Sequence, residues 1–350
     1  MNRLDQKIID GARISRDEAL TLAQSFDLHR LGFLANAVRQ RLHPEPRVTY
    51  VIDRNINYTD ICVSACKFCA FFKAPEDAAG SVLSFAELGQ KIEETLALGG
   101  TQILLQGGLH PDKPLAFYEE MLAFIKGHGI HVHGFSPPEI NHFAAISGLA
   151  VREVLIRLQR AGLDSIPGGG AEILCDRVRQ EISPRKCGTD AWLAVMEEAH
   201  NLGMRTTATM MFGHVETLAE RIEHLARIRD LQDRTGGFTA FIPWPFQPDN
   251  TALAHLAKTS AFTYLTMLAV SRIFLDNVDN IQASWVTQGP KIAQLSLFFG
   301  ANDFGSTMIE ENVVAAAGVH FRLSEEEIRH LVTEAGFTPC QRVMDYILVG

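Results

Sequence analysis

Short apolar runs alternate with amphipathic segments along most of this chain. The apolar runs are rich in β-branched and aromatic residues and predict eight strands, the last of them weak, at residues 48–56, 102–106, 131–135, 163–166, 205–212, 238–243, 280–284 and 301–304. Apolar positions three and four apart predict the helices between them, at residues 84–98, 115–127, 151–161, 190–202, 217–230 and 261–275. Ser84 and Glu87 have the spacing of a capping box and mark the start of the first of these helices.

About eight strand–helix units predict an α/β fold, a parallel sheet closed into a (β/α)₈ TIM-type barrel. An open doubly wound sheet is the alternative. Two features favour the barrel. Polar and glycine-rich segments recur just after the strands, where barrel active sites lie, and no GxGxxG follows the first strand.

The barrel is expected to have helical segments on both sides. Residues 1–47 predict two or three helices, with apolar positions at helical spacing from residue 14 to 31. The barrel is assigned to residues 48–320. Residues 321–350 form a C-terminal helical extension, whose helix at 324–335 opens with a Ser324/Glu327 capping box.

Composition and charge narrow the class of protein. Apolar residues make up 47% of the chain, enough for a large core, and the formal charge is −9. No basic stripe with interleaved aromatics is present, which argues against a nucleic-acid partner. No uncharged apolar run reaches about 18 residues, and the acidic N-terminus has no apolar signal region. We therefore expect a soluble, cytoplasmic protein that has no membrane partner.

Three cysteines in a C-x₃-C-x₂-C spacing, Cys62, Cys66 and Cys69, follow the first predicted strand. Three thiolates in one short loop can bind three irons of a [4Fe–4S] cluster and leave the fourth iron open, unlike electron carriers that close the cluster with four cysteines. An open iron can chelate the amino and carboxylate groups of S-adenosylmethionine (SAM). A structural zinc site is the alternative, but it requires four ligands and no second cysteine pair follows. Polar neighbours, among them Lys67, argue against three buried core cysteines.

The other cysteines, Cys175, Cys187 and Cys340, have no partner at ligand spacing. We therefore expect buried thiols at these positions and one cluster only.

The same residues resemble a known family. The C-x₃-C-x₂-C spacing is the hallmark of the radical SAM superfamily, and Phe68 matches the aromatic residue that stacks near the adenine there. The wider motifs resemble the menaquinone and deazaflavin subgroup over residues 48–320: NINYTDIC, CKFCAFF, QGGLHPD, FSPPEI, AGLDSIPGGGAEIL, TATMMFGHVET and GANDFGSTMIEENV. Residues 241–248 and 284–290 look most like the subgroup's dehypoxanthine futalosine cyclases.

This resemblance implies a reaction and its cofactors. A 5′-deoxyadenosyl radical, generated from SAM at the [4Fe–4S] cluster, removes hydrogen from C4′ of dehypoxanthine futalosine. The carbon radical adds to the benzoate ring, and loss of a proton and an electron gives cyclic dehypoxanthine futalosine, a menaquinone precursor. Reduced flavodoxin or ferredoxin is the expected electron donor. The alternatives are an aminofutalosine synthase or F0 synthase subunit and, more distantly, a non-catalytic Fe–S electron carrier.

The resemblance also implies the SAM-binding residues. The loop Gln106-Gly107-Gly108 is expected to hold the methionine ammonium through its backbone, because the usual acidic third residue is Leu109 here; a plain turn is the alternative. Glu172 is expected to bind SAM from the first turn of a helix, where an acid would also suit the helix dipole. Ser136 is a further SAM-side candidate. Arg177, like Arg179 beside it, either pairs with the SAM carboxylate or is a surface arginine.

Three acid–base candidates follow later strands. His214 and Glu216 can bind polar substrate or move a proton, with helix capping as the alternative for Glu216. Asp303 is placed at the end of the eighth strand and is a candidate to take the proton lost on rearomatisation. Trp244 and Trp285 near strand ends would suit an aromatic substrate wall or the core.

Overall fold

The computed structural model describes residues 2–349. Its helices are α1 (Arg3–Ile9), α2 (Arg16–Ala23), α3 (Leu28–Leu42), α4 (Phe85–Ala97), α5 (Leu115–Lys126), α6 (Pro137–Ser147), α7 (Val151–Ala161), α8 (Asp176–Ile182), α9 (Thr189–Asn201), α10 (Leu218–Thr235), α11 (Ala261–Phe274), α12 (Trp285–Gln288), α13 (Pro290–Ser296), α14 (Val313–Ala316) and α15 (Glu325–Glu334). Its strands are β1 (Arg47–Val51), β2 (Asp53–Asn57), β3 (Gln102–Gln106), β4 (His131–Gly134), β5 (Ser165–Ile166), β6 (Arg205–Phe212), β7 (Phe238–Pro245), β8 (Asn280–Ile281), β9 (Asp303–Ser306) and β10 (Thr338–Gln341).

The strands form a closed parallel ring. Strands β2 to β8 pair in chain order, and a second sheet has the order β10-β1-β9. Only Ile52 separates β1 from β2, so these two strands act as one. A parallel bridge joins Gln282, just after β8, to Asp303 of β9, and the Ala283 N–H donates to the Asp303 carbonyl at 2.9 Å. Eight strands therefore follow one another around the ring, which confirms the predicted (β/α)₈ barrel and excludes the open sheet.

Six of the eight predicted strands differ in their limits, among them the first and the eighth. The first predicted strand is divided at Ile52. The eighth begins at Asp303 and continues to Ser306, although the sequence placed its end near Asp303. Gly305 has φ +90°, and the pairing of β1 with β9 shifts between Thr49 and Tyr50. A glycine adopts this conformation without strain, so the strand continues beyond Asp303 to Ser306.

The N-terminal segment holds three helices, and the run predicted across residues 14–31 is broken. Helix α2 ends at Ala23, and Asp27 caps α3 by accepting the Arg30 N–H at 3.0 Å. An aspartate at this position favours a helix start over a helix interior. Within residues 2–349, no helix is both long and apolar enough to cross a membrane.

The predicted caps are confirmed, but one strand was missed. Ser84 and Ser324 each form a complete capping box with the glutamate three residues later. After α15, strand β10 pairs in parallel with β1 along Arg47–Tyr50. The chain from Arg342 onwards then lies against the amino ends of the barrel strands, where Arg342 bonds Asp303.

Candidate active site

The cysteine loop leaves the carboxyl end of β2 and is tied to its neighbours by backbone hydrogen bonds. The Val63 N–H donates to the Leu109 carbonyl at 3.0 Å, and the Lys67 N–H donates to the Ile182 carbonyl at 2.8 Å. These bonds fix the loop between the turn after β3 and the end of α8. The cysteine positions are therefore set by two other barrel units as well as by their own strand.

The three thiols lie in a partly buried, polar setting. Cys66 is buried, whereas Cys62 and Cys69 are half-buried. The Ser64 N–H donates to Cys62 Sγ at 3.4 Å, and the Ser64 hydroxyl lies 3.2 Å from Cys66 Sγ. Burial raises the pKa of the Cys66 and Cys69 thiols, and the positive charge of Lys186 opposes that rise.

Within residues 2–349, no three metal-binding side chains converge on one point as a single ion requires. A cubane does not need this convergence, because each thiolate binds a different iron. The three thiols, one buried and two half-buried, with an N–H directed at Cys62 Sγ and a hydroxyl beside Cys66 Sγ, fit such a cluster.

The two glycines after β3 are required by close packing. A Cβ on Gly108 would lie 2.2 Å from the Ile61 carbonyl oxygen, and one on Gly107 would lie 2.5 Å from the Tyr58 ring. The N–H groups of both glycines are already used, by Glu139 and by the Thr59 carbonyl. Their carbonyl oxygens, rather than the N–H groups, are left for a ligand.

Glu139 is a buried acid that sequence reasoning missed. Its carboxylate accepts hydrogen bonds from the Tyr58 hydroxyl at 2.8 Å, the Gly107 N–H at 3.1 Å and the Ser136 hydroxyl at 2.5 Å. Burial raises the pKa of Glu139 to about 7 despite these bonds. Ser136 therefore faces Glu139 behind the glycine loop. The acid was hidden in the sequence because a glutamate after Pro137-Pro138 has the pattern of an ordinary first helical turn.

Glu172 lies at the site in an unexpected backbone conformation. It has φ +39° in the segment between β5 and α8, and α8 begins only at Asp176, so it is not in the first turn of that helix as predicted. Oε1 accepts from Lys186 Nζ at 2.8 Å, while the buried Oε2 has no hydrogen-bond partner. An unpartnered buried carboxylate oxygen fits a ligand that donates a hydrogen bond.

Lys186 was also missed. Its ammonium lies 5.0 Å from the centroid of the Phe68 ring and bonds Glu172. Lys186 thus brings together two predicted SAM-binding residues from different loops. A single lysine in a loop carries no pattern by which the sequence could have identified it.

The two neighbouring arginines of α8 have different surroundings. Arg177 is half-exposed and pairs with Glu220 at 2.6 Å and Glu181 at 3.1 Å, outside the cavity. Arg179 is buried and donates to the carbonyls of Gly170 and Ala171. The structure does not bring Arg177 to the other predicted SAM residues, while Arg179 holds the loop that carries Glu172.

His214 and Glu216 are brought together, but they face their own loop. Their side chains are buried and lie 3.0 Å apart. Glu216 also accepts from the Gly213 N–H at 2.6 Å and pairs with Arg221. Burial would raise the pKa of Glu216, but the hydrogen bond and charge of His214, with Arg221, lower it to about 2. The cap of α10 is Thr217 rather than Glu216.

Asp303 lies at the opposite end of the barrel from the position expected. It opens β9, and its carboxylate pairs with Arg342 at 2.5 Å and accepts from the Thr49 hydroxyl at 2.6 Å. The side chain is fully buried and does not line the cavity described next. The structure thus separates Asp303 from the cysteine loop, which follows the carboxyl end of β2.

A cavity of about 290 Å³ runs through the barrel interior. Gln106, Gly169 and Glu172 line its upper part, close to the cysteine loop. Trp244 and Trp285 form part of the wall. Polar residues of several strands and of the C-terminal tail line the base, among them Asp53, Gln102, His133, Ser306 and Arg342.

Comparisons with known proteins match both halves of the chain. The model of the radical SAM superfamily matches residues 56–228, and that of the CofH/MqnC C-terminal region matches residues 235–349. Cyclic dehypoxanthine futalosine synthase of Streptomyces coelicolor is 48% identical, covering 97% of this chain and 88% of that protein. The enzyme of the same name from Halalkalibacterium halodurans is 45% identical, with coverages of 98% and 94%. Aminodeoxyfutalosine synthase of Thermus thermophilus is 40% identical, with coverages of 96% and 92%.

A solved structure supports the fold. The FeFe-hydrogenase maturase HydG from Carboxydothermus hydrogenoformans superposes with a TM-score of 0.78 at 18% identity, over 98% of this chain and 80% of that one. The fold, the cysteine loop at the barrel mouth and the full-length similarity to the two synthases agree. The chain therefore belongs to the radical SAM superfamily, in the group that carries the CofH/MqnC C-terminal region.

Proposed function

We propose that this chain is a radical SAM cyclase that converts dehypoxanthine futalosine to cyclic dehypoxanthine futalosine. The observation that carries the proposal is the C-x₃-C-x₂-C loop at the mouth of an internal barrel cavity, in a chain 45–48% identical over nearly its whole length to synthases of that name. In the conversion, the hydrogen atom of C4′ passes to the 5′-deoxyadenosyl radical and one carbon–carbon bond forms. The ring then loses a proton to a base and an electron to the oxidised form of the electron carrier, which restores its aromaticity.

The cofactors are assigned to residues around the mouth. Cys62, Cys66 and Cys69 would hold a [4Fe–4S] cluster. Glu172, with its unpartnered oxygen, would bind SAM together with Gln106, the Gly107 and Gly108 carbonyls and the Phe68 ring. When bound, these groups supply the 5′-deoxyadenosyl radical that removes the hydrogen atom. Reduced flavodoxin or ferredoxin is proposed as the electron donor.

The chain's own contribution is to position the substrate and exclude water. Leu104, Ile242, Trp244 and Trp285 give the cavity apolar walls beside the SAM residues, which suits an aromatic ring. A walled cavity also protects a carbon radical from side reactions.

The candidates for the proton acceptor are carboxylates that line the cavity. Asp53 and Glu311 do so, and burial raises the pKa of both. Asp303 is held by Arg342 outside the lining, and His214 and Glu216 bond their own loop. These three residues are better suited to holding the barrel in shape than to direct proton transfer.

Anaerobic, reconstituted enzyme incubated with SAM, dithionite and dehypoxanthine futalosine tests the proposal. We expect 5′-deoxyadenosine and the cyclised product to form together in equal amounts. Formation of 5′-deoxyadenosine without cyclised product would contradict the cyclase and favour an aminofutalosine synthase or F0 synthase subunit, which would share the cluster and SAM residues. Stable redox cycling without SAM cleavage would indicate an electron carrier.

A further inference from the structure

Four buried polar side chains lie at the base of the cavity, and of these only Asp53 has a part in the chemistry above. Asp53, Gln102, His133 and Ser306, here called the base cluster, come from four different strands and are each at most 7% exposed. All four line the cavity. Polar groups buried this deeply usually serve each other or a ligand.

The hydrogen bonds within the base cluster leave acceptors over. Gln102 Nε2 donates to Asp53 Oδ2 at 2.8 Å, and the Ser306 hydroxyl donates to Asp53 Oδ1. The other amide atom, Gln102 Oε1, has no partner, and neither has the hydroxyl of Tyr346, which reaches the same cavity from the C-terminal tail. A buried oxygen without a hydrogen-bond partner raises the free energy of the folded protein, and a ligand that donates a hydrogen bond to this oxygen removes the cost.

The base cluster is remote from the SAM residues. Asp53 and Gln102 open β2 and β3 and are paired with each other, whereas Asn57 and Gln106 end the same strands beside the cysteine loop. At about 3.3 Å per residue, the two ends lie roughly 13 Å apart. A ligand that meets the radical near the mouth must therefore direct its far side toward the base.

The charges at the base favour neutral donors over an anion. Arg342 is the one lysine or arginine among the cavity-lining residues of the described chain, and both its Nε and Nη2 are bonded to Asp303. Burial lowers the pKa of His133 to about 3, so this ring is uncharged at neutral pH. Because Asp53 and Asp303 face one cation, a ligand carboxylate would add unbalanced negative charge, whereas a hydroxyl would not.

We propose that the base cluster, with Tyr346, is a subsite that binds the sugar hydroxyls of the substrate. The assignment rests on the proposed function, in which the reacting C4′ belongs to the ribose-derived part of dehypoxanthine futalosine. Hydroxyls bound below hold that ring with C4′ toward the mouth, and the benzoate lies against the apolar wall of Trp244 and Trp285. Gln102 and Tyr346 are thus substrate-positioning residues.

Binding measured without turnover tests this subsite. Binding is measured by the quenching of tryptophan fluorescence, because Trp244 and Trp285 line the cavity. The enzyme carries its cluster and SAM but receives no reductant. The ligands are dehypoxanthine futalosine and its 2′-deoxy and 3′-deoxy analogues. We expect the wild type to bind the parent compound about 10-fold more tightly than at least one analogue, the scale of one hydrogen bond.

Gln102→Met keeps the side-chain volume but removes the amide. It should reduce the ratio of the affinities for the parent compound and the analogue to about 1. Tyr346→Phe, which loses only the hydroxyl, serves as the second variant should Gln102→Met fold poorly. Gln90→Met, the same change on the exposed face of α4, is the matched control and should keep the wild-type preference. A general loss of fit would weaken all ligands equally and leave the preference intact.

The outcomes separate the two proposals. If the wild type cyclises dehypoxanthine futalosine and both variants keep its preference for the hydroxylated ligand, the subsite is wrong and the function stands. If the wild type neither binds nor cyclises this compound, the proposed function fails and the subsite fails with it. If it binds with the expected preference and forms no cyclised product, only the reaction assignment fails.

Discussion

Cys66 and Glu139 illustrate two kinds of functional residue in this barrel. Cys66 was identified from its spacing to Cys62 and Cys69, because a cluster-binding loop must place its thiolates close together in sequence. Glu139 reaches the glycine loop from a different strand–helix unit, and its partners Tyr58 and Gly107 lie 81 and 32 residues away. Contacts that depend on folding leave no local spacing in a single sequence.

Replacing Cys66 by serine should remove the cluster and SAM cleavage together, because a cubane held by three thiolates loses one of its anchors. Iron content, visible absorbance and 5′-deoxyadenosine formation measure this. Cys340→Ser, at a half-buried cysteine on β10, is the matched control and should retain all three. SAM cleavage that survives in Cys66→Ser would overturn the assignment of the loop.

Glu139 should make the stability of the cluster-free protein depend on pH. Burial raises its pKa from 4.5 to about 7, so the folded state binds an extra proton between these values. Its contribution is full below pH 4.5 and is lost as pH rises through 7. At about 1.4 kcal/mol per pKa unit, the loss amounts to about 3 kcal/mol.

Glu139→Gln keeps the side-chain shape without the charge. Relative to the wild type, this variant should therefore gain stability from pH 5 to pH 8, as measured by urea unfolding at each pH. Glu87→Gln, on the surface of α4, is the control. A constant difference between Glu139→Gln and wild type over this range would mean that the buried carboxyl does not titrate there.

At the scale of elements, long amphipathic helices and capping boxes were predictable, whereas the limits of the shortest strands were not and β10 was missed. Helix α7 has the limits that its apolar spacing predicted, and Ser84 caps α4 as expected. Strands β5 and β8 pair through only two residues each, and β10 has no clear alternation of buried and exposed positions. Such strands are defined by their neighbours in the ring, and their own residues carry too little pattern to set their limits.

The turn after β3 should not tolerate a side chain at Gly108. A Cβ there would lie 2.2 Å from the Ile61 carbonyl oxygen, which belongs to the cysteine loop and is backbone that cannot rotate away. We expect Gly108→Ala to displace the loop and to lower iron content and SAM affinity together, with the barrel still folded by circular dichroism. Gly203→Ala is the control, because a Cβ at Gly203 would meet open space. It measures the general effect of a glycine-to-alanine change, although the positive φ of Gly203 adds a small cost of its own. Wild-type iron content in Gly108→Ala would show that the loop can adapt.

At the scale of the whole molecule, the C-terminal tail closes the barrel from below. Strand β10 extends the second sheet beside β1, and Arg342 then reaches the first residue of β9. The same tail supplies Met344 and Tyr346 to the cavity lining. The segment predicted only as a helical extension thus links the closure of the ring to the base of the substrate cavity.

The ion pair between Arg342 and Asp303 should couple the tail to the barrel energetically. The two side chains are 6% and 0% exposed, so removing one partner leaves a buried charge uncompensated. Arg342→Met and Asp303→Asn should each cost about 3–5 kcal/mol in urea unfolding, and the double variant should cost clearly less than the two losses added together. Arg152→Met breaks a pair whose side chains are 53% and 36% exposed and should cost at most about 1 kcal/mol.

Because the pair of Arg342 and Asp303 lies at the opposite end of the barrel from the cysteine loop, the variants of this pair that fold should retain their iron and cleave SAM, while their affinity for substrate falls. Additive losses would show that the two charges act independently, and loss of iron would show that the tail supports the whole ring rather than its base.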